Sequence, residues 1–135
     1  MNIISIEKAR ELSPLTLAFY GDSVYEVLVR RKLVENGSVP SHKLHKRAVE
    51  FVRASFQSQA VDIIEPLLNE QEADIFRRGR NANGAVVPKS SNPHDYRRAT
   101  GLEALFGFLF LIGEQKRAEE LFEVIFNEKK NEIAV

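Results

Sequence analysis

The chain has 135 residues, of which 44% are apolar and 28% charged, ordinary values for a globular protein of one domain. It contains no cysteine, which excludes disulfide frameworks and thiolate metal sites, and its formal net charge of zero points to no class of partner. The N-terminal segment is charged and the most apolar stretch, 102–112, is too short for a bilayer, so we expect a soluble, cytoplasmic protein without membrane association.

The first half of the chain predicts three helices. Ser13-Pro14 places a capping hydroxyl before a proline at the first helical position, and the helix is expected to stop at Asn36-Gly37. Pro40-Ser41 opens a second helix. A third begins near Ser55 and must end near Pro66, because proline removes a helical hydrogen bond.

The second half predicts three more helices around one irregular segment. Asn69 and Glu72 have the spacing of a capping box, and Asn92-Pro93 repeats the cap-and-proline start for a helix that ends at Gly113. Between them, 80–92 is rich in Gly, Asn, Ser and Pro and is expected to be irregular. A last amphipathic helix covers about 115–130. Strand signals are nearly absent, so we expect an all-α fold, a single-domain helical bundle spanning 1–135.

Two of these helices are unusually apolar, and each carries an acid near its middle. Asp22 and Glu103 are expected to lie at least partly inside the protein, because helices apolar on all sides are core helices. Gly21 beside Asp22 suggests that another part of the chain approaches the backbone there. A buried carboxylate is paired, bound to metal or protonated. A buried ion pair explains one such acid well; two together favour a site for Mg²⁺, with Mn²⁺ as a substitute.

Two segments resemble the sequence motifs of ribonuclease III. FYGDSVYE at 19–26 resembles the second half of that family's signature, and TGLEAL at 100–105 resembles its second acidic motif. The resemblance places the family's metal ligands, which are its catalytic residues, on Asp22 and Glu103. Two further acids of the family pattern would fall on Ala18 and Thr100, so half of the usual acidic set is missing.

The resemblance is closer to Mini-ribonuclease III, the short form without a separate double-stranded-RNA-binding domain. RGRNA at 78–82, PK at 88–89 and YR at 96–97 complete an ordered set of motifs, and the similarity covers about 12–126. It implies the helical ribonuclease III endonuclease fold and a magnesium-dependent endoribonuclease that cleaves double-stranded RNA. The expected substrate is the precursor of the large-subunit (23S) ribosomal RNA.

A catalytic domain without a separate RNA-binding domain must itself contact the phosphates of the duplex. The expected RNA-binding residues lie at the end of a helix, in the irregular segment and at the start of the next helix: Arg77, Arg78, Arg80, Lys89 and Arg97. Two alternatives remain open. These side chains could be merely solvated, and Arg97 or its neighbour Arg98 could pair with Asp22 or Glu103.

The resemblance also implies a homodimer. Ribonuclease III domains dimerise through the signature helix, and the phenylalanine that inserts into the partner falls on Phe19. Alternatively, Phe19 fills its own core. Two other functions compete with the enzyme: a non-catalytic RNA-binding protein on a degenerate ribonuclease III scaffold, motivated by Ala18 and Thr100, and a helical adaptor with an accidental motif.

Overall fold

A computed structural model describes residues 2–131, which form helices and loops without a strand. The ends of the expected domain 1–135 lie outside these residues. The helices, with a single 3₁₀ turn at Glu65–Leu67 between α4 and α5, are α1 (Ile6–Glu11), α2 (Pro14–Val34), α3 (Ser41–Val52), α4 (Ala54–Ile64), α5 (Glu70–Arg80), α6 (Pro93–Leu111) and α7 (Gln115–Lys130). The all-α prediction is confirmed for residues 2–131, as is the irregular segment before α6.

Three of the predicted helix starts, those of α2, α5 and α6, are capped by local side-chain hydrogen bonds. The Ser13 hydroxyl accepts from the backbone N–H of Leu15 at 3.2 Å, with Pro14 in the first turn. Asn69 and Glu72 form both bonds of a capping box, at 2.8 and 3.0 Å. α1 was not predicted. It is only six residues long and contributes one buried side chain, Ala9, so its sequence lacks an apolar stripe.

α6 is the central helix, and α2, α4 and α5 all pack against it. Glycines permit two of these contacts. A Cβ atom on Gly21 of α2 would collide with the backbone carbonyl of Glu103 and come within 2.9 Å of the Gly107 nitrogen. A Cβ on Gly79 of α5 would come within 2.9 Å of the Gly101 Cα. The approach to the backbone that Gly21 suggested is therefore confirmed, and the approaching element is α6.

Aromatic side chains fill the core between α2, α6 and α7. The Tyr25 ring meets Phe106 and Phe122 edge to face, with centroids 5.7 and 5.6 Å apart, a favoured geometry for aromatic pairs. All three side chains are buried. Within residues 2–131, no helix combines the length and the apolar content needed to cross a bilayer.

Candidate active site

Asp22 from α2 and Glu103 from α6 line the same open cavity, of about 260 Å³. The packing of Gly21 on the backbone of Glu103 explains why residues far apart in sequence meet here. The remaining lining residues are apolar, aromatic or hydroxylic: Leu15, Ala18, Phe19, Ala85, Tyr96 and Thr100. Two carboxylates from different helices therefore face one solvent-accessible space.

Glu103 is half-buried and electrostatically perturbed. Burial, and then the negative charge of Asp22, raise the pKa of Glu103 to about 8 from its ordinary value of 4.5. A hydrogen bond from protonated Glu103 to Asp22 acts in the same direction, whereas the bond donated by Gln57 favours the charged form. In the metal-free protein at neutral pH, a proton on Glu103 relieves the repulsion between the two acids.

Asp22 differs from its prediction, because its side chain is exposed. The apolar surroundings of Asp22 in the sequence suggested burial, but α2 is apolar on both its inner and outer faces. Tyr25 and Val29 lie in the core, whereas Phe19 is 83% exposed. Asp22 lies on the side of α2 that lines the cavity, where its side chain is exposed to water. The expectation of a partly buried acid is confirmed only for Glu103.

The two residues that replace family acids also line this cavity. Ala18 contributes no ligand, and the Thr100 hydroxyl donates to the Tyr96 carbonyl at 3.0 Å. Across residues 2–131, no group of three or more His, Cys, Asp or Glu side chains is arranged to hold a metal ion. Two carboxylates still suit Mg²⁺, which takes few protein ligands and retains several waters. A divalent cation would also neutralise the repulsion that raises the pKa of Glu103.

A second open cavity, of about 480 Å³, brings together some of the predicted RNA-binding residues. Arg80 from the end of α5 and Arg97 from the second turn of α6 both line it. Arg80 is also oriented by the Phe76 ring, 5.5 Å from its guanidinium carbon, and by the Asn81 side chain at 3.1 Å. His94 and Arg98 also line this cavity. This surface presents several donors suited to phosphate oxygens.

The other predicted RNA-binding residues are not in that lining. Arg77 is exposed, with its guanidinium 3.9 Å from the Asp74 carboxylate, and Lys89 is an exposed side chain of the segment between α5 and α6. Arg78 is half-buried at the end of α5. Arg77 and Arg78 share the last turn of α5 with Arg80, and Lys89 belongs to the segment that follows that helix.

Arg98 does not pair with the site acids. Its guanidinium donates to the Ser58 carbonyl at 2.8 Å and to the Asp62 carboxylate, both on α4. The alternative in which Arg98 neutralises Asp22 or Glu103 is therefore wrong. Arg97, like Arg98, lines the arginine-lined cavity.

Sequence reasoning missed Gln57, which contacts Glu103 directly. The Gln57 side-chain amide donates to Glu103 Oε2 at 3.2 Å and to the Val52 carbonyl at 2.9 Å. The available signal was its spacing: Gln57 shares a helix face with Ala60, Val61 and other buried residues of α4. His94 was also missed, because one histidine beside a helix cap resembles an ordinary surface residue.

A family model, the ribonuclease III domain, matches residues 15–114 of this chain. The chain is 46% identical to Mini-ribonuclease 3 of Symbiobacterium thermophilum over 112 residues, which cover 83% of this chain and 86% of the relative. It is 43% identical to Mini-ribonuclease 3 of Thermoanaerobacter sp. over 122 residues, covering 90% and 86%. A crystal structure of a Fusobacterium nucleatum protein superposes with a TM-score of 0.79 at 29% identity, covering 87% of this chain and 96% of that one.

Proposed function

Because the chain belongs to the ribonuclease III family and is an endoribonuclease, we propose that it cleaves double-stranded RNA with Mg²⁺ held by Asp22 and Glu103. Mn²⁺ is the expected substitute, since it also prefers oxygen ligands. The family match over residues 15–114 rules out an accidental motif on a helical adaptor. It also favours the enzyme over a non-catalytic RNA-binding protein.

The observation that carries the proposal is the shared cavity of Asp22 and Glu103. The side chains come from two helices whose backbones meet at Gly21, and burial together with the charge of Asp22 raises the pKa of Glu103. Carboxyl groups whose pKa is strongly shifted by burial and a nearby charge in a cleft cluster at functional sites. A divalent cation held by Asp22 and Glu103 would replace their mutual repulsion with attraction.

When bound by Asp22 and Glu103, Mg²⁺ would activate a water molecule as the nucleophile and neutralise charge on the phosphate. Asp22 and Glu103 contribute the negative charge that retains the cation, and neither has to act as a general base. Glu103 would have to lose its proton to hold the cation, so its raised pKa would couple metal binding to pH. The exposure of Asp22 leaves room for a phosphodiester beside the acids.

For the RNA, we propose that Arg80 and Arg97 hold phosphates in their common cavity, while Arg77, Arg78 and Lys89 contact more distant phosphates of the same duplex. Duplex RNA is recognised mainly by its shape and backbone, which suits arginines at the end of one helix and the start of the next. His94 and the asparagines beside Arg80 add further hydrogen-bond donors to this surface.

We further propose that the protein acts in the cytoplasm as a homodimer and matures the ends of the 23S ribosomal RNA precursor. Phe19 supports the dimer, since a side chain of this size that is 83% exposed beside the site is suited to cover by a second copy. With one acid pair per chain, cleavage of both strands in one encounter requires two chains.

The test is to incubate the protein with a stem from the 23S precursor, with and without Mg²⁺, and to map the new ends. Cleavage is expected only with the metal, and Asp22→Asn and Glu103→Gln should each abolish it while circular dichroism shows an intact fold. Glu128→Gln is the matched control, because Glu128 is an exposed acid on α7. Cleavage at the wild-type rate in either site variant would refute the assignment of ligands.

A further inference from the structure

Gln57 is an enclosed polar residue beside the candidate metal site. Its side chain belongs to α4 and is only 3% exposed. The amide nitrogen makes two hydrogen bonds, to the Val52 carbonyl at the end of α3 and to Glu103 Oε2 on α6. One side chain thus connects three helices and ends on a carboxylate of the site.

The orientation of the Gln57 amide is fixed by its surroundings. A backbone carbonyl can only accept a hydrogen bond, so the NH₂ group must face Val52. Val52 is itself held, because the preceding carbonyl, that of Phe51, accepts from the Tyr25 hydroxyl at 2.7 Å. Glu103 therefore meets a fixed donor rather than a rotating amide.

That donor has a direct consequence for the Glu103 carboxylate. Holding Oε2 in one hydrogen bond restricts rotation of the carboxylate, which otherwise sits on a flexible three-torsion side chain. It also favours the charged form against the effects of burial and Asp22. The second oxygen, and the remaining lone pairs of Oε2, stay available to a ligand.

We infer that Gln57 is a positioning residue that orients the Glu103 carboxylate toward a divalent cation, an inference that rests on the proposed metal-dependent function. Groups that hydrogen-bond a metal ligand fix its direction, and their loss typically weakens metal affinity by about 10–100-fold. A purely structural Gln57, which only fastens α3 and α4 to α6, would affect stability and leave metal affinity unchanged.

The test is a Mn²⁺ titration of RNA-free protein, followed by the electron paramagnetic resonance signal of the free ion. Gln57→Met preserves the length and apolar packing of the side chain but removes the donor. We expect its Mn²⁺ affinity to fall by about 10–100-fold. Gln59→Met is the control, because Gln59 is an exposed glutamine on the same helix, and it should bind Mn²⁺ as the wild type does.

Two further variants separate the possible outcomes. In a Glu103→Gln background, Gln57→Met should have no additional effect on affinity, because its action passes through Glu103. Gln57→Asn keeps the amide but shortens its reach; if Gln57→Met does not fold, Gln57→Asn carries the test and should also weaken binding. Wild-type affinity in the folded Gln57 variant would overturn the inference.

Cleavage assays provide a second readout. The Mg²⁺ concentration for half-maximal activity should rise in Gln57→Met while the KM for RNA at saturating Mg²⁺ stays unchanged. A rise in KM alone would contradict the inference. If the wild type itself neither binds Mn²⁺ nor requires Mg²⁺ for cleavage, the proposed function fails together with the inference. That outcome is distinct from a metal-binding wild type with an unaffected Gln57 variant.

Discussion

Gly21 packs directly on the backbone carbonyl of Glu103, so the residue that precedes one site acid in the sequence lies in contact with the other. The spacing of the two acids therefore depends on how closely α2 approaches α6. Glycine at this place has a functional reason as well as a packing one. A side chain here would move Asp22 away from Glu103.

Gly21→Ala should accordingly destabilise the protein and inactivate it. In an exposed helix interior the same change stabilises by about 1 kcal/mol, because alanine favours the helix. Here the added methyl meets backbone atoms, and overpacking of that kind costs about 1–3 kcal/mol or more. Urea denaturation measures the change in the free energy of unfolding and shows whether it rises or falls. Gly84→Ala is the control, because a methyl group there meets no other atom and tests only backbone strain at positive φ. A Gly21→Ala protein more stable than the wild type would contradict the packing described here.

The stability of the metal-free protein should depend on pH through Glu103. The folded chain keeps this proton up to about pH 8, whereas the unfolded chain loses it near 4.5. Between these values the folded state binds more protons, so this group's contribution to the unfolding free energy decreases as pH rises, by at most about 1.4 kcal/mol per pH unit.

Glu103→Gln removes that contribution and provides the measurement. Its stability relative to the wild type should increase from pH 5 to pH 8 and then level off, as measured by denaturation in the presence of a chelator. Saturating Mg²⁺ should abolish the trend for the wild type, because the cation takes the place of the proton and neither state then holds it in this pH range. A difference that does not vary with pH would mean that Glu103 titrates normally.

The helix starts could be predicted from the sequence because caps are local. The capping hydrogen bonds of Ser13, Asn69 and Asn92 join residues two or three positions apart, so a short sequence pattern is enough to predict them. α1 escaped prediction although the Ser5 hydroxyl caps it locally, accepting from the Lys8 amide at 3.2 Å, because a helix of six residues with one buried side chain has no apolar stripe. The segment before it is held by a long-range bond from the Ile4 amide to the Leu111 carbonyl, which no local pattern reveals.

The candidate site was predictable in part. Asp22 and Glu103 are conspicuous as lone charges in apolar helices, but periodicity alone could not tell which face of α2 is covered, and Asp22 proved exposed. Gln57 could not be assigned to the site, because its role depends on how α4 packs against α6. The pairing of Arg98 with Asp62 could not be predicted for the same reason, since it also joins α6 to α4.

The salt dependence of RNA binding should identify the phosphate contacts. If Arg78, Arg80 and Lys89 each contact a phosphate, replacing all three by alanine should lower the slope of log affinity against log salt by about two to three units. Binding should weaken to a similar degree for duplexes of different sequence, because phosphates are common to all. Filter binding over a range of salt concentrations gives the slope.

A control triple variant with the same loss of charge distinguishes contact from a general electrostatic effect. Lys8, Lys116 and Lys130 are exposed and lie outside the lining of both cavities. Their replacement by alanine should leave the slope nearly unchanged. Equal slopes for the two triple variants would mean that Arg78, Arg80 and Lys89 are solvated surface residues that do not contact phosphates.

Phe19→Ala should weaken a dimer without harming the chain itself. Burial of a phenylalanine contributes about 1.5–3 kcal/mol, and a two-fold axis counts it twice, so the dissociation constant should rise by about 10²–10⁴-fold. Because Phe19 is exposed in the single chain, the stability of the monomer should change little. Sedimentation over a dilution series measures the constant.

Val49→Ala is the control for Phe19, since Val49 is an exposed apolar residue on α3 and 54% accessible. It should leave association unchanged. A wild type that sediments as a monomer at micromolar concentration with RNA bound would refute the dimer. A Phe19→Ala protein that dimerises normally would place Phe19 outside the interface.

The central position of α6 makes the region around Glu103 more resistant to transient local unfolding than the segment between Arg80 and Arg97. Amides around Glu103 lie in a helix covered by α2, α4 and α5, so they can exchange hydrogen with solvent only when the whole bundle unfolds. The irregular stretch 81–92 has few such bonds and can open by itself. A protease could therefore sever the chain between Arg80 and Arg97, separating two arginines that share a cavity, while Asp22 and Glu103 remain in place.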